Sequence, residues 1–191
     1  MTTIKMLELM GTTQCVGMLI GRKEGVLFRQ RFQISSFWKD SSLINLSFEG
    51  ITAMDFTFAT HAFATITREY NFHEYHDKQF YLSCVNTTIV ENLEVALDAM
   101  ARLHSFRNCV LLVRETNKEI WLAGKYEKTL AETFSFLDSA KQLTAPEFAR
   151  VANLSLNNAS GRLKTLYDLG LCTRYQQLNS REFVYQELRI E

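Results

Sequence analysis

Leu154-Ser-Leu-Asn-Asn-Ala-Ser-Gly-Arg-Leu-Lys-Thr-Leu-Tyr-Asp-Leu-Gly-Leu171 carries the spacing that decides the second half of the fold. Ala159, Leu163 and Leu166 recur at steps of three and four, so they line one face of a helix from Leu156 to Leu169. Ser155 stands just ahead of the first turn, where its hydroxyl can accept from an otherwise unpaired backbone N–H. Gly170 follows the last periodic residue and stops the helix as a glycine C-cap does. Working back, Asn153-Leu154-Ser155 is a turn, and a first helix precedes it over Leu143 to Ala152. Its start is a capping box. Thr144 is the N-cap, Glu147 lies three residues on, and Pro146 sits in the first turn, where its missing N–H has no helical partner to lose. Phe148, Val151 and Ala152 make the inward face.

Working forward, Leu171 to Tyr175 and Glu182 to Leu188 are strand-like runs joined by the polar turn Gln177-Leu-Asn-Ser-Arg181. Helix, turn, helix and two-stranded ribbon is the layout of a winged helix-turn-helix, expected from about Gln142 to the C-terminus. The segment 154–171 resembles the recognition-helix signature of the MarR and ArsR-like winged-helix superfamily, with Ser160, Leu163, Leu166, Gly170 and Leu171 in register. The resemblance implies a DNA-binding transcriptional regulator whose partner is double-stranded DNA. The second helix of such a motif enters the major groove by its N-terminal residues, and the wing rests on the backbone. Asn157, Asn158 and Ser160 fall at that end, and asparagine can pair two ways with adenine. Arg162, Lys164, Arg174 and Arg181 are the candidates for phosphates, which position rather than specify. Gly161 departs from the pattern. It stands where the family often carries a larger polar side chain, and it costs the helix roughly 1 kcal/mol relative to alanine.

The formal net charge is zero, so no global field draws nucleic acid to the chain. Binding must come from a local surface. Arg150, Arg162, Lys164, Arg174 and Arg181 provide one, opposed within that stretch by the single acid Asp168.

The first half alternates strand-like and helix-like segments. Thr2 to Met10 and Gln14 to Ile20 are apolar and β-prone, and Gly21-Arg-Lys-Glu-Gly25 has turn chemistry. Val26 to Ser35 fits helix or strand. Leu43 to Phe48, Phe80 to Val85, Cys109 to Val113 and Ile120 to Ala123 read as strands. Helical spacing marks Phe56 to Tyr70, Thr88 to Leu103 and Lys125 to Leu137. The expected fold class is therefore α/β, a mixed sheet with helices over residues 1–140, followed by the winged helix over 141–191.

Leu43-Ile-Asn-Leu-Ser-Phe-Glu-Gly-Ile-Thr-Ala-Met-Asp-Phe-Thr-Phe-Ala-Thr-His-Ala-Phe63 resembles the central segment of STAS-like domains, relatives of the antagonists of bacterial anti-sigma factors. Ile20-Gly-Arg-Lys-Glu-Gly25 and Arg29 match the variant that accompanies histidine-kinase-type ATPases. The resemblance implies a sensing or dimerising domain, with a protein partner of ATPase or sigma type. In antagonists a serine at the strand-to-helix junction is phosphorylated; Asp55-Phe-Thr57 occupies that place, with Thr57 on the target position, so Asp55 and Thr57 are the regulatory candidates. A phosphate at a helix N-terminus is electrostatically favoured. The bland alternative is an N-cap hydroxyl flanked by Phe56 and Phe58.

No Ser-His-Asp order, paired carboxylate or glycine-rich phosphate loop stands out, so no catalytic residue, cofactor or enzymatic activity is assigned. His73 and His76 have i,i+3 spacing in a polar connection, His61 lies on a helix and His104 ends one; none of these makes a metal site. Cys15, Cys84, Cys109 and Cys172 are far apart and read as reduced thiols. Glu8 interrupts any signal-like run, and no apolar stretch reaches the ~20 residues of a membrane span. The expectation is a cytoplasmic protein without membrane contact, acting as a homodimer. A competing expectation is a non-enzymatic interaction switch whose winged helix makes protein contacts only.

Overall fold

Short apolar strands separated by helices build the first part of the chain. The computed structural model describes residues 2–10, 17–34, 43–71, 78–115, 120–176 and 182–188. By internal contact it divides into two units, Met1–Tyr126 and Glu127–Glu191. The helix at Lys128–Ala140 falls in the second of these.

In the first unit the order is β1 (Thr2–Lys5), α1 (Met6–Met10), β2 (Met18–Leu19), α2 (Arg22–Ile34), β3 (Leu43–Ser47) and β4 (Ala53–Met54). Helix α3 (residues 56–71), β5 (Gln79–Val85), α4 (Thr87–His104), β6 (Cys109–Glu115) and β7 (Ile120–Lys125) follow. Five strands form one mixed sheet in the order β1-β3-β5-β6-β7. The first four are mutually parallel, and β7 returns antiparallel to β6. Parallel neighbours require crossover connections, and the helices between the strands supply them. The two-residue strands β2 and β4 pair parallel to each other, apart from the main sheet.

The core is aromatic at its centre. Phe28 and Phe32 stack with ring centroids 5.7 Å apart, and Phe28 also meets Phe63 at 5.1 Å and Phe58 at 5.9 Å. Leu46, Leu82, Leu93, Leu97 and Val113 close around them, all fully buried. This resolves the expected segment from Val26 as far as Ile34. Phe28 and Phe32 are one helical turn apart and bury the same face, so the segment is helical. The turn expected at Gly21 to Gly25 becomes the first turn of α2. Gly25 is required there, because a Cβ would stand 2.9 Å from the Phe58 carbonyl oxygen and 3.1 Å from His61 Cβ. The run Thr2 to Met10 divides at Lys5, with a short helix in place of the strand's second half.

Helix α3 is not uniform. Phe56–Ala59 and Thr65–Asn71 are α-helical, and Thr60–Ala64 is a π-helical segment. The inserted residue rotates the following turns, and such bulges often occur at functional sites.

The second unit runs α5 (Lys128–Ala140), β8 (Gln142–Thr144), α6 (Ala145–Val151), α7 (Leu156–Asp168), β9 (Thr173–Gln176) and β10 (Phe183–Gln186). The three short strands form an antiparallel sheet in the order β8-β10-β9. Thr144 caps α6 as expected: its Oγ1 accepts from the Glu147 N–H at 3.4 Å, and the Glu147 carboxylate accepts from the Thr144 N–H at 2.8 Å. The Thr144 N–H and then the Thr144 hydroxyl, each donating to Glu147 Oε2 at 2.8 Å, hold the Glu147 carboxyl below its usual range. Ser155 caps α7 by accepting from the Asn158 N–H at 3.3 Å, and Gly170 takes a positive φ of 70° after the helix. Leu130, Leu137, Phe148, Ala159, Leu163, Leu166, Leu171 and Cys172 are buried. The strand β8 went unpredicted, because three residues ahead of a capping box carry too little pattern to read.

Among the described residues no helix is long and apolar enough to cross a membrane, and no cluster of three His, Cys, Asp or Glu side chains is placed to hold a metal ion.

Candidate nucleic-acid interface

The outward face of α7 is the polar surface on which most of the predicted site residues converge. Ala159, Leu163 and Leu166 turn inward, which leaves Asn157, Asn158, Ser160, Gly161 and Lys164 exposed along the opposite side. Asn157 and Ser160 have no hydrogen-bond partner among the described residues' side chains. Nothing lies within 4 Å of a Cβ built on Gly161, so this glycine marks open space. Leu156 and Val151, each 55 % exposed, flank the entrance to the helix.

The basic residues are more heavily engaged than their sequence positions suggest. Arg162 donates from Nε to Asn158 Oδ1 at 2.9 Å, and its Nη1 lies 3.7 Å from a Glu132 carboxylate oxygen on α5. Glu132 in turn lies 3.7 Å from Lys128. Lys164 pairs with Asp168 one turn on. Arg174, on β9, is sandwiched between two rings, its guanidinium carbon 4.0 Å from the Tyr167 centroid and 4.4 Å from that of Phe183. The stack holds the guanidinium flat at the base of the β9–β10 hairpin without neutralising it. Arg181 lies outside the described residues.

Sequence reasoning missed Glu132. Its helix is legible, but a carboxylate more than one element away in the chain leaves no spacing signal that it will face Arg162. The consequence is electrostatic. The Arg150-to-Arg181 stretch carries one acid of its own, and α5 supplies another. Residues 127–191 contain eight basic and eight acidic side chains, so the second unit has no net charge.

The second group of candidates lies at the start of α3 in the first unit. Asp55 is the N-cap. Its Oδ1 accepts from the Phe58 N–H at 2.6 Å, and its Oδ2 accepts from the Gly21 N–H at 3.0 Å. The carboxylate therefore ties the loop before α2 to the first turn of α3. Thr57 is exposed on that turn, and its hydroxyl has no partner among the described residues. Phe58 is fully buried, whereas Phe56 is 41 % exposed. One turn beyond Thr57, His61 sits on the π segment against α2. Burial first, and then the Arg22 and Arg29 cations, hold its imidazole below the usual histidine range. Arg29 lies 3.6 Å from the buried Glu69. His73 and His76 lie outside the described residues, and His104 stacks on Phe106 with centroids 5.3 Å apart.

Comparison with known proteins adds nothing to this geometry: no family model matches the chain, and no curated protein matches it.

Proposed function

We infer that the second unit is a winged helix-turn-helix and that the protein is a DNA-binding transcriptional regulator, with a STAS-like first unit that senses or dimerises. The carrying observation is the exposed polar face at the start of α7, set between a capped turn and an antiparallel hairpin. A helix of that width fits the major groove, and side chains at its N-terminal end are the ones that reach base edges. Asn157, Asn158 and Ser160 take the base-reading role, and Arg174 the phosphate role from the hairpin. The mixed sheet, with its four parallel strands, and the capped α3 support the STAS-like assignment.

A gel-shift series on a random-sequence duplex pool, with salt titration, tests this reading. Retardation that weakens with salt is expected, together with loss of sequence preference when Asn157 and Asn158 are both replaced by alanine. No retardation at low salt, or a double variant as selective as wild type, overturns it.

One observation favours the second reading, an interaction switch that docks on a protein. The second unit is electroneutral, and an ordinary phosphate-driven binder carries a basic excess. That reading predicts binding to a protein partner which persists at salt concentrations that would dissociate DNA.

A further inference from the structure

Asn158 and Arg162 lie one turn apart on α7, and their side chains are joined. A guanidinium carries donors only, so the atom of Asn158 that faces Arg162 Nε at 2.9 Å has to be the amide oxygen. Arg162 follows Asn158 in the helix, so Oδ1 is drawn toward the helix C-terminus. The Nδ2 end, with its two N–H donors, is left for the N-terminal end, where groove contacts are made. Arg162 is itself braced by Glu132 at 3.7 Å, a residue of a different helix, and is only 24 % exposed against 57 % for Lys164. It is a strut rather than a free cation.

We propose that Arg162 is a positioning residue that holds Asn158 as a hydrogen-bond donor, so that the base read by Asn158 is guanine and not adenine. The inference rests on the DNA-binding reading above. Paired recognition of adenine needs the asparagine oxygen to accept from the N6 amine while the amide nitrogen donates to N7. Oδ1 keeps a second lone pair, but with that oxygen turned toward Arg162 the end presented to the base edge is Nδ2, which meets the adenine N6 amine donor against donor. Guanine offers N7 and O6, two acceptors side by side, which suit the two protons of Nδ2. Asn157 has no side-chain partner among the described residues, retains both an acceptor and a donor, and is the adenine reader of the pair. In this proposal Arg162 acts without touching the nucleic acid, in place of the phosphate contact expected of it.

The experiment is selection from randomised duplex DNA by the full-length protein, comparing wild type with N158A, R162M, R162K and E132Q. Arg162→Met keeps the aliphatic stem and removes every donor, so it preserves packing better than alanine would. N158A identifies the base position that Asn158 reads. At that position wild type is expected to prefer guanine over adenine on the order of tenfold, the discrimination of one good base contact. R162M should lose that preference, with the position read by Asn157 unchanged. R162K, which can still donate to Oδ1, should retain it, and E132Q should retain it because the Asn158–Arg162 bond survives. Failure of wild type to enrich any sequence overturns the DNA-binding reading itself. Enrichment of a site whose Asn158-dependent base is adenine overturns the positioning role alone. So does an R162M protein of native helical content that keeps the guanine preference, or an R162K protein that loses it.

Discussion

Asp55 shows how much a single residue can organise. Both of its carboxylate oxygens are used, one toward the loop before α2 and one toward the first turn of α3. Gly21, whose φ of 85° suits glycine, presents its N–H to one oxygen, and the first turn of α3 presents Phe58 N–H to the other. Removing the side chain leaves two backbone donors unpaired. Asp55→Ala is therefore expected to destabilise the protein by about 1–3 kcal/mol, the combined cost of a lost cap and an unsatisfied donor. Thr57→Ala, which removes an exposed hydroxyl with no partner, is expected to stay within about 0.5 kcal/mol of wild type. Urea unfolding of both variants checks this, and equal midpoint shifts would show that Asp55 is not the structural member of the pair. Thr57 is then the residue on which a regulatory role can be tested alone. Thr57→Glu should alter DNA or partner binding relative to Thr57→Ala if the junction is a switch.

At the level of elements, the two helical glycines have opposite meanings that sequence alone does not separate. Gly25 lies where α2 presses on the carbonyl of Phe58 and on His61, whereas Gly161 faces open space. Gly25→Ala is expected to push α2 off α3 and cost about 1–3 kcal/mol, since backbone carbonyl atoms give way less readily than side-chain ends. Gly161→Ala is expected to stabilise α7 by about 0.5–1 kcal/mol, because alanine loses less backbone entropy in a helix. Thermal unfolding of the two variants should move in opposite directions; a stabilised Gly25→Ala would refute the close-packed seam. Helix α7, its caps at Ser155 and Gly170, and the Thr144–Glu147 box were legible in the sequence, because capping is local and its residues are few. The strand character of 79–85 and 109–115 was legible too, as bounded apolar runs. Helix α2 was ambiguous, since Arg29 and Arg31 interrupt its apolar pattern, and only packing among Phe28, Phe32 and Phe63 decides it. The π segment in α3 and the reach of Glu132 to Arg162 depend on tertiary contact and leave no trace in spacing. So the candidate site's position could be read from sequence, but the engagement of its charges could not.

At the scale of the whole molecule, charge sets the limit on what one copy can do. The basic residues of the α6–β9 region divide into two classes. Arg162 and Lys164 have acidic partners within 4 Å, whereas among the described residues Arg150 meets Glu147 only at longer range and Arg174 lies on aromatic rings. Only the second class is ready to displace counterions from DNA. Two phosphate contacts per copy from the described residues contribute about −2 to the slope of log affinity against log salt, shallower than five contacts would give. Such a copy binds weakly at physiological ionic strength, so tight binding needs two copies on one site. A two-fold dimer presents two recognition helices to half-sites one helical turn apart. The expected outcome is a slope about twice as steep for the protein on a palindromic site, with a mass of two chains by light scattering both free and on DNA. Replacing Arg174 with alanine should lower that slope by about two units, one per copy. A monomer by light scattering that nonetheless shows the steep slope would require Arg162 and Lys164 to leave Glu132 and Asp168 on binding. Only if Arg162 also released Asn158 would that outcome overturn the guanine preference, which depends on the Asn158–Arg162 bond.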